Sequence, residues 1–147
     1  MPIFSNYQIF TDGGARGNPG PAAIGIVIKS ENRIVVDKIS RLIPDSTNNY
    51  AEYKALISAL EYLVANRQKL NLVDASRIDF FSDSTLLVNQ VNGFYKVKNS
   101  RLREFIYRIR ELEIQIPGKI FYNLIPREKN VEADFLVNQA LDNHGPF

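Results

Sequence analysis

Residues 7–29 read YQIFTDGGARGNPGPAAIGIVIK, and the order of their parts decides the fold. Tyr7 to Thr11 is an apolar, β-rich run that reads as a first strand. Asp12 to Pro21 carries Gly13, Gly14, Gly17, Pro19, Gly20 and Pro21, a dense set of turn formers. Ala22 to Lys29 then returns to β-branched residues and reads as a second strand. A phosphate-cradling loop would lead into a helix and would carry Gly-Lys-Ser/Thr. Neither feature is present, so a P-loop is excluded and an antiparallel strand pair is expected in its place.

Working outward, Arg33 to Ile43 reads as a third strand after a hairpin turn near Glu31-Asn32. Helical spacing then takes over, with Ala55, Leu56, Ala59, Leu60 and Leu63 on one stripe and Thr47, Asn48 and Asn49 ahead of it as capping candidates. Arg77 to Ser82 reads as a short buried strand, and Ser84 to Val91 as a helix that stops at Asn92-Gly93. Leu102, Phe105, Ile106, Ile109 and Leu112 form the inner stripe of a further helix. Lys119 to Ile125 is a last strand ended by Pro126, and Asn130 to Leu141 a last helix with Asn130 as its expected N-cap. The order β-β-β-α-β-α-α-β-α predicts an α/β fold: a mixed sheet of five strands, its first three antiparallel and its later strands parallel, with helices on both faces.

The 147 residues suit a single domain spanning 1–147. Lys and Arg total 18 against 16 for Asp and Glu, and a net charge of +2 is too small to argue a nucleic-acid partner by itself. The absence of cysteine excludes disulfides, zinc thiolate sites and a Cys nucleophile. No stretch approaches the roughly 18 apolar residues of a membrane span, and the first residues lack the basic and apolar regions of a signal peptide. A cytoplasmic, monomeric protein without membrane contact is the expectation. The single histidine, His144, lies three residues from the end, so a Ser-His-Asp triad would depend on the tail.

Four acids occupy positions of interest. Asp12 ends the first predicted strand and Asp83 the fourth, where open α/β sheets place their sites. Each alone is an ordinary turn former or cap. Glu52 shares the helical stripe of Ala55, Leu56, Ala59 and Leu63, and Asp134 shares one with Val137 and Leu141. A charge on a core-facing stripe is costly unless paired or bound to metal, although acids also favour the first turn of a helix. Were the four carboxylates to meet, they would repel one another unless a hard divalent cation joined them. Spacing leaves that convergence open.

The segments Thr11-Asp-Gly-Gly-Ala-Arg-Gly-Asn-Pro-Gly20, Thr47-Asn-Asn-Tyr-Ala-Glu-Tyr-Lys-Ala55, Phe81-Ser-Asp-Ser84 and Pro126-Arg-Glu-Lys-Asn-Val-Glu-Ala-Asp134 resemble, in order, the motif regions of type 1 ribonuclease H. The resemblance covers essentially the whole chain. It implies a five-stranded mixed sheet flanked by helices, and an endoribonuclease that cuts the RNA strand of RNA–DNA hybrids with two Mg²⁺ or Mn²⁺ ions held by Asp12, Glu52, Asp83 and Asp134. It further implies that Asn18, Thr47, Asn48 and Asn49 contact the nucleic-acid strands, and Gly13, Ser84 and Arg127, in the same motif regions, are further candidate substrate contacts. Turn formation and helix capping are the plainer roles for those polar residues.

Related specificities remain open beside hybrid cleavage: double-stranded RNA, RNA–DNA junctions, or a non-catalytic nucleic-acid-binding module of the same fold. An ATP-dependent phosphotransferase lacks a nucleotide loop. Many family members insert a basic, Trp-bearing protrusion that this chain replaces with only Phe94 to Ser100. Many also carry a histidine in the loop before the final acid-bearing helix, where this chain has Ile125 to Asn130, including Arg127 and Glu128. Cleavage without a histidine is therefore expected, with Arg127 helping through phosphate contact. Lys96, Lys98, Arg101, Arg103, Arg108 and Arg110 form a basic run that is either a substrate contact or a solvated helix face.

Overall fold

Alternating apolar residues build a three-strand antiparallel meander: β1 (Tyr7–Ala15), β2 (Gly20–Ser30) and β3 (Val35–Ser46). The computed structural model describes residues 5–143. The chain continues through α1 (Asn48–Ala65), β4 (Arg77–Ser82), α2 (Thr85–Val91), α3 (Ser100–Ile114), β5 (Lys119–Leu124), a short 3-10 turn at Arg127–Lys129 and α4 (Val131–Asp142). The five strands form one sheet in the order β3-β2-β1-β4-β5. β4 and β5 run parallel to β1 because helices separate them in the chain. The expected α/β architecture is the observed one. No helix among the described residues is long and apolar enough to cross a membrane.

One face of the sheet carries the main core. Ile9, Ile24, Ile26, Ile28, Ile78 and Phe80 pack with Tyr53, Leu56, Leu60 and Leu63 of α1 and with Leu102, Ile109 and Leu112 of α3. The other face holds a smaller cluster in which Val137, Ala140 and Leu141 of α4 cover Ala23. Burying the larger set against α1 fixes that helix firmly, since each buried aliphatic side chain contributes about 1.5–3 kcal/mol.

Two glycines let the helices come close to the sheet, Gly13 on β1 and Gly25 on β2. A Cβ on Gly13 would overlap the Ala51 carbonyl of α1, and a Cβ on Gly25 would overlap the Ala133 carbonyl of α4. Gly13 follows Asp12 in the chain, and Gly25 is its cross-strand partner on β2. The strand position of Asp12 is thus pressed by a helix from each side.

The structure corrects several boundaries. β1 does not end at Asp12 but runs on to Ala15, because Gly13, Gly14 and Ala15 keep pairing with Ile24, Ala23 and Ala22. The turn is therefore shorter than the glycine count suggests, and Asp12 sits within a strand. Ser84 is the N-cap of α2 and not its first residue, accepting from the Leu87 amide at 3.2 Å. β3 begins at Val35 and extends to Ser46, and β5 ends at Leu124. Asn130 occupies the N-cap position of α4 but makes no side-chain capping bond.

Candidate active site

Asp12 is 7% exposed and Glu52 9%, both well inside the fold for carboxylates. Glu52 projects from the first turns of α1, a helix started by Thr47, whose hydroxyl accepts from the Tyr50 amide at 3.2 Å. Close packing at Gly13 brings α1 against β1, and the Gly13 amide donates to Glu52 Oε1 at 3.0 Å. Asp83 follows the end of β4, which pairs parallel with β1, so both carboxylates reach the same end of the sheet. One oxygen each from Asp12, Glu52 and Asp83 lies within 4.8 Å of the others.

The electrostatics follow from this crowding. Burial first, and then the charges of Asp83 and Asp134, push the Asp12 carboxyl up to about 8. Burial also raises Glu52 well above the ordinary carboxylate range, with Asp12 and Asp83 adding to the shift and the Gly13 amide and Arg127 charge opposing it. A cluster of hard oxygen donors with so little compensating positive charge fits a divalent cation such as Mg²⁺ or Mn²⁺. Nitrogen and sulfur ligands are absent from the trio, which removes the usual features of a zinc site.

Asp134 stands differently. It is exposed on α4, at the rim of a cleft of about 510 Å³ that also contains the other three acids. Asn138, one turn further on, donates to the Asp134 carboxylate at 3.3 Å and to its carbonyl at 3.1 Å. The inner-stripe position read from the sequence thus holds for Val137 and Leu141 but not for Asp134. Its charge still reaches Asp12.

The polar candidates divide between structural and open positions. Asn18 Oδ1 accepts from the Asn48 amide at 3.0 Å, and Asn48 Oδ1 accepts from the Ala15 amide at 2.8 Å. These two residues clasp the loop between β1 and β2 onto the start of α1. Thr47 caps, and Gly13 is committed to Glu52. Asn49, Ser84 and Arg127 line the cleft, as does Asn48. Arg127 is exposed on the 3-10 turn and has no ion-pair partner among the described residues, so its guanidinium is free to meet an anion. Glu128 is exposed on the same turn, and His144 lies outside the described residues.

The basic run splits in the same way. Arg108 pairs with Glu61 at 3.3 Å, and Arg110 pairs with Glu113 at 3.0 Å while donating to the Val91 carbonyl at 2.6 Å. Arg101 instead lies over the Tyr50 ring, 5.5 Å from its centre, close to the capped start of α1. Sequence reading gave Asn130 only as a helix cap and passed over Asn138, and both donate to acids of the cleft. The signal for Asn138 was its i+4 spacing from Asp134.

Known proteins share the sequence and the fold of this chain. The family model described as reverse transcriptase-like matches residues 10–140. A ribonuclease HI of Halobacterium salinarum is 37% identical over 136 residues, which cover 91% of this chain and 63% of the relative. A bifunctional protein of Mycobacterium tuberculosis is 38% identical over 135 residues, covering 91% of this chain but 35% of the relative. The chain thus spans about a third of the length of the mycobacterial relatives it matches. Among solved structures, LC11-RNase H1 in complex with an RNA/DNA hybrid shares 44% identity, with a TM-score of 0.87 over 94% of this chain and 98% of that one.

Proposed function

The chain belongs to the type 1 ribonuclease H family, and from that premise we propose that it is an endonuclease hydrolysing the RNA strand of RNA–DNA hybrids. The observation that carries this reading is the approach of Asp12, Glu52 and Asp83 to within 4.8 Å in a cleft open to solvent. The family implies dependence on a divalent metal, and the donor set suits Mg²⁺ or Mn²⁺, two ions per site in our reading.

Asp12, Glu52, Asp83 and Asp134 would hold the ions, which would supply charge neutralisation and Lewis acidity for an in-line displacement by water. Asp12, Glu52 and Asp83 form the close-set part of that donor set, and Asp134, exposed at the rim beside Asn138, would add its carboxylate from the open side. Water adds to phosphorus, the bond to the ribose 3′-oxygen breaks, and the products carry a 3′-hydroxyl and a 5′-phosphate. Arg127 binds a phosphate oxygen on the open side of the cleft. Asn49, exposed along the cleft, offers an amide that can donate to and accept from a 2′-hydroxyl, the group that separates RNA from DNA, and Asn48, whose Oδ1 accepts from Ala15, offers its NH2 as a donor. Asn18, Thr47 and Gly13 shape the cleft by holding the loop and the helix in place, and Ser84 borders the scissile position. The domain acts as one unit spanning 1–147, as a monomer in a reducing cytoplasmic setting.

The test is cleavage of end-labelled RNA–DNA hybrid, double-stranded RNA and duplex DNA, each with Mg²⁺, Mn²⁺ or EDTA. Metal-dependent cutting confined to the RNA of the hybrid is expected. Faster cutting of double-stranded RNA would move the substrate to that class, and hybrid binding without cutting under either metal would make the chain a binding module.

A further inference from the structure

Asn130 is 1% exposed, stands at the first turn of α4, and has the residue type of a helix cap. A residue present only to start a helix would turn its side-chain oxygen to the helix amides. Asn130 does not: its Oδ1 is buried with no hydrogen-bond partner among the described residues. Instead its Nδ2 donates to the Thr11 carbonyl at 2.9 Å and to Asp83 Oδ2 at 3.3 Å. Its own carbonyl accepts from the Asp134 amide at 3.1 Å. Thr11 directly precedes Asp12. One side chain and its backbone therefore touch the strand beside Asp12, the carboxylate of Asp83 and the helical turn that carries Asp134.

The orientation of this amide is determined by its neighbours. Flipping it would set Oδ1 against two acceptors, the Thr11 carbonyl and the Asp83 carboxylate. Leaving Oδ1 unpaired costs about 1–3 kcal/mol, so the two donor contacts are what the arrangement protects. The two N–H bonds of a planar amide diverge at a fixed angle, and one is held by a strand carbonyl that cannot rotate. The other then fixes where an oxygen of Asp83 must lie.

We propose that Asn130 is a positioning residue that sets the Asp83 carboxylate in register with Asp12 and with α4, and so shapes the metal position before any ion arrives. The inference rests on the reading of this cleft as the cleavage site. Groups that orient a metal ligand typically change metal affinity or activity by about 10–100-fold when removed. Arg127 meets Asn130 through backbone atoms, the Asn130 amide donating to the Arg127 carbonyl at 3.0 Å, and that bond does not involve the Asn130 side chain, so substrate grip is not expected to change.

The experiment compares wild type with Asn130→Ala in equilibrium Mn²⁺ titrations without substrate, followed by the magnetic resonance signal of free Mn²⁺, and in steady-state cleavage of hybrid. Both are run well below the melting temperature of each protein. A loss of about tenfold or more in Mn²⁺ affinity, with kcat reduced and KM for hybrid within about twofold of wild type, is the expected result. Wild-type Mn²⁺ affinity and kcat in a variant that only melts earlier would reduce Asn130 to a structural residue and overturn the proposal. Should Asn130→Ala not fold, the near-isosteric Asn130→Leu, which keeps volume and loses both donors without adding charge, is expected to lower kcat by the same order at unchanged KM. Wild-type kcat in that variant overturns the proposal equally. If wild type binds Mn²⁺ but cuts no hybrid, the functional reading falls while the Mn²⁺ titration still decides the role of Asn130.

Discussion

The N-terminal ends of α1 and of α4 carry the same kind of residue in different surroundings, Glu52 in the second turn and Asp134 in the first. Glu52 is buried, receives the Gly13 amide and belongs to the tight trio with Asp12 and Asp83. Asp134 is exposed, supported by Asn138, and stands at the rim. Their helices differ in the same sense. α1 packs its apolar stripe into the main core and is started by Thr47, whereas α4 covers a small cluster and lacks a side-chain cap. The lesson is a division of labour set by packing. The core builds the part of the site that must hold charge against charge, and the more open part is left to groups that can exchange with substrate and solvent.

The largest effect should come from the close-set trio. Asp83→Asn keeps the shape but removes an anionic ligand, and kcat on hybrid should fall at least about a thousandfold, on the order of 4 kcal/mol. Turnover near wild type would break the distinction between trio and rim. Gly13→Ala tests the packing that makes the trio. Its methyl would meet the Ala51 carbonyl, shifting α1 and with it Glu52. A displacement of about 1 Å at a reacting centre can reduce rate about a hundredfold. A Gly13→Ala protein with normal kcat would show that α1 has slack at that contact.

The rim should give smaller changes. Arg127→Ala removes one phosphate contact and is expected to lower kcat/KM about tenfold. Arg108→Ala is the matched control, because Arg108 is occupied by Glu61 at a site where exposed pairs contribute at most about 1 kcal/mol. Equal losses in the two variants would place the substrate along α3 instead of across the cleft.

The smallest effect is thermal and concerns the trio alone. Folding raises the Asp12 carboxyl from 3.8 to about 8, and Glu52 shifts in the same direction. The folded state therefore holds protons that the unfolded state has released. Stability from this source is full below about pH 4, declines as pH rises, and is lost by about pH 8. In EDTA, Tm should fall by a few degrees across that window, and saturating Mg²⁺ should largely remove the slope at its upper end. A metal-free Tm that rises between pH 5 and 8 would contradict the crowding of these acids.

Much of this arrangement was legible in the sequence, for physical reasons that can be named. Hydrophobic period distinguished strands from helices, so Arg77–Ser82 is as expected, and the Ala55–Leu63 stripe faces the core. The ordered motifs gave the four acids, and the structure gathers all of them in one cleft. Less legible were effects that depend on contacts distant in the chain. Glycines signal turns locally, yet Gly13 and Gly14 continue a strand because β2 pairs with them and α1 needs the space at Gly13. Nothing local separates Glu52 from Asp134, since both follow a helix start and share an apolar stripe. Burial by the larger core makes the difference. Asn130 reads as a cap in any window of sequence, and its partner Thr11 lies 119 residues away.

The most direct test of the division between trio and rim is a Mn²⁺ titration without substrate on Asp12→Asn and Asp134→Asn, beside wild type. Asp12→Asn should lose the tightest Mn²⁺ position, while Asp134→Asn should keep it and lose only weaker binding. Equal loss in both variants, or retention of the tight position in Asp12→Asn, would contradict that division.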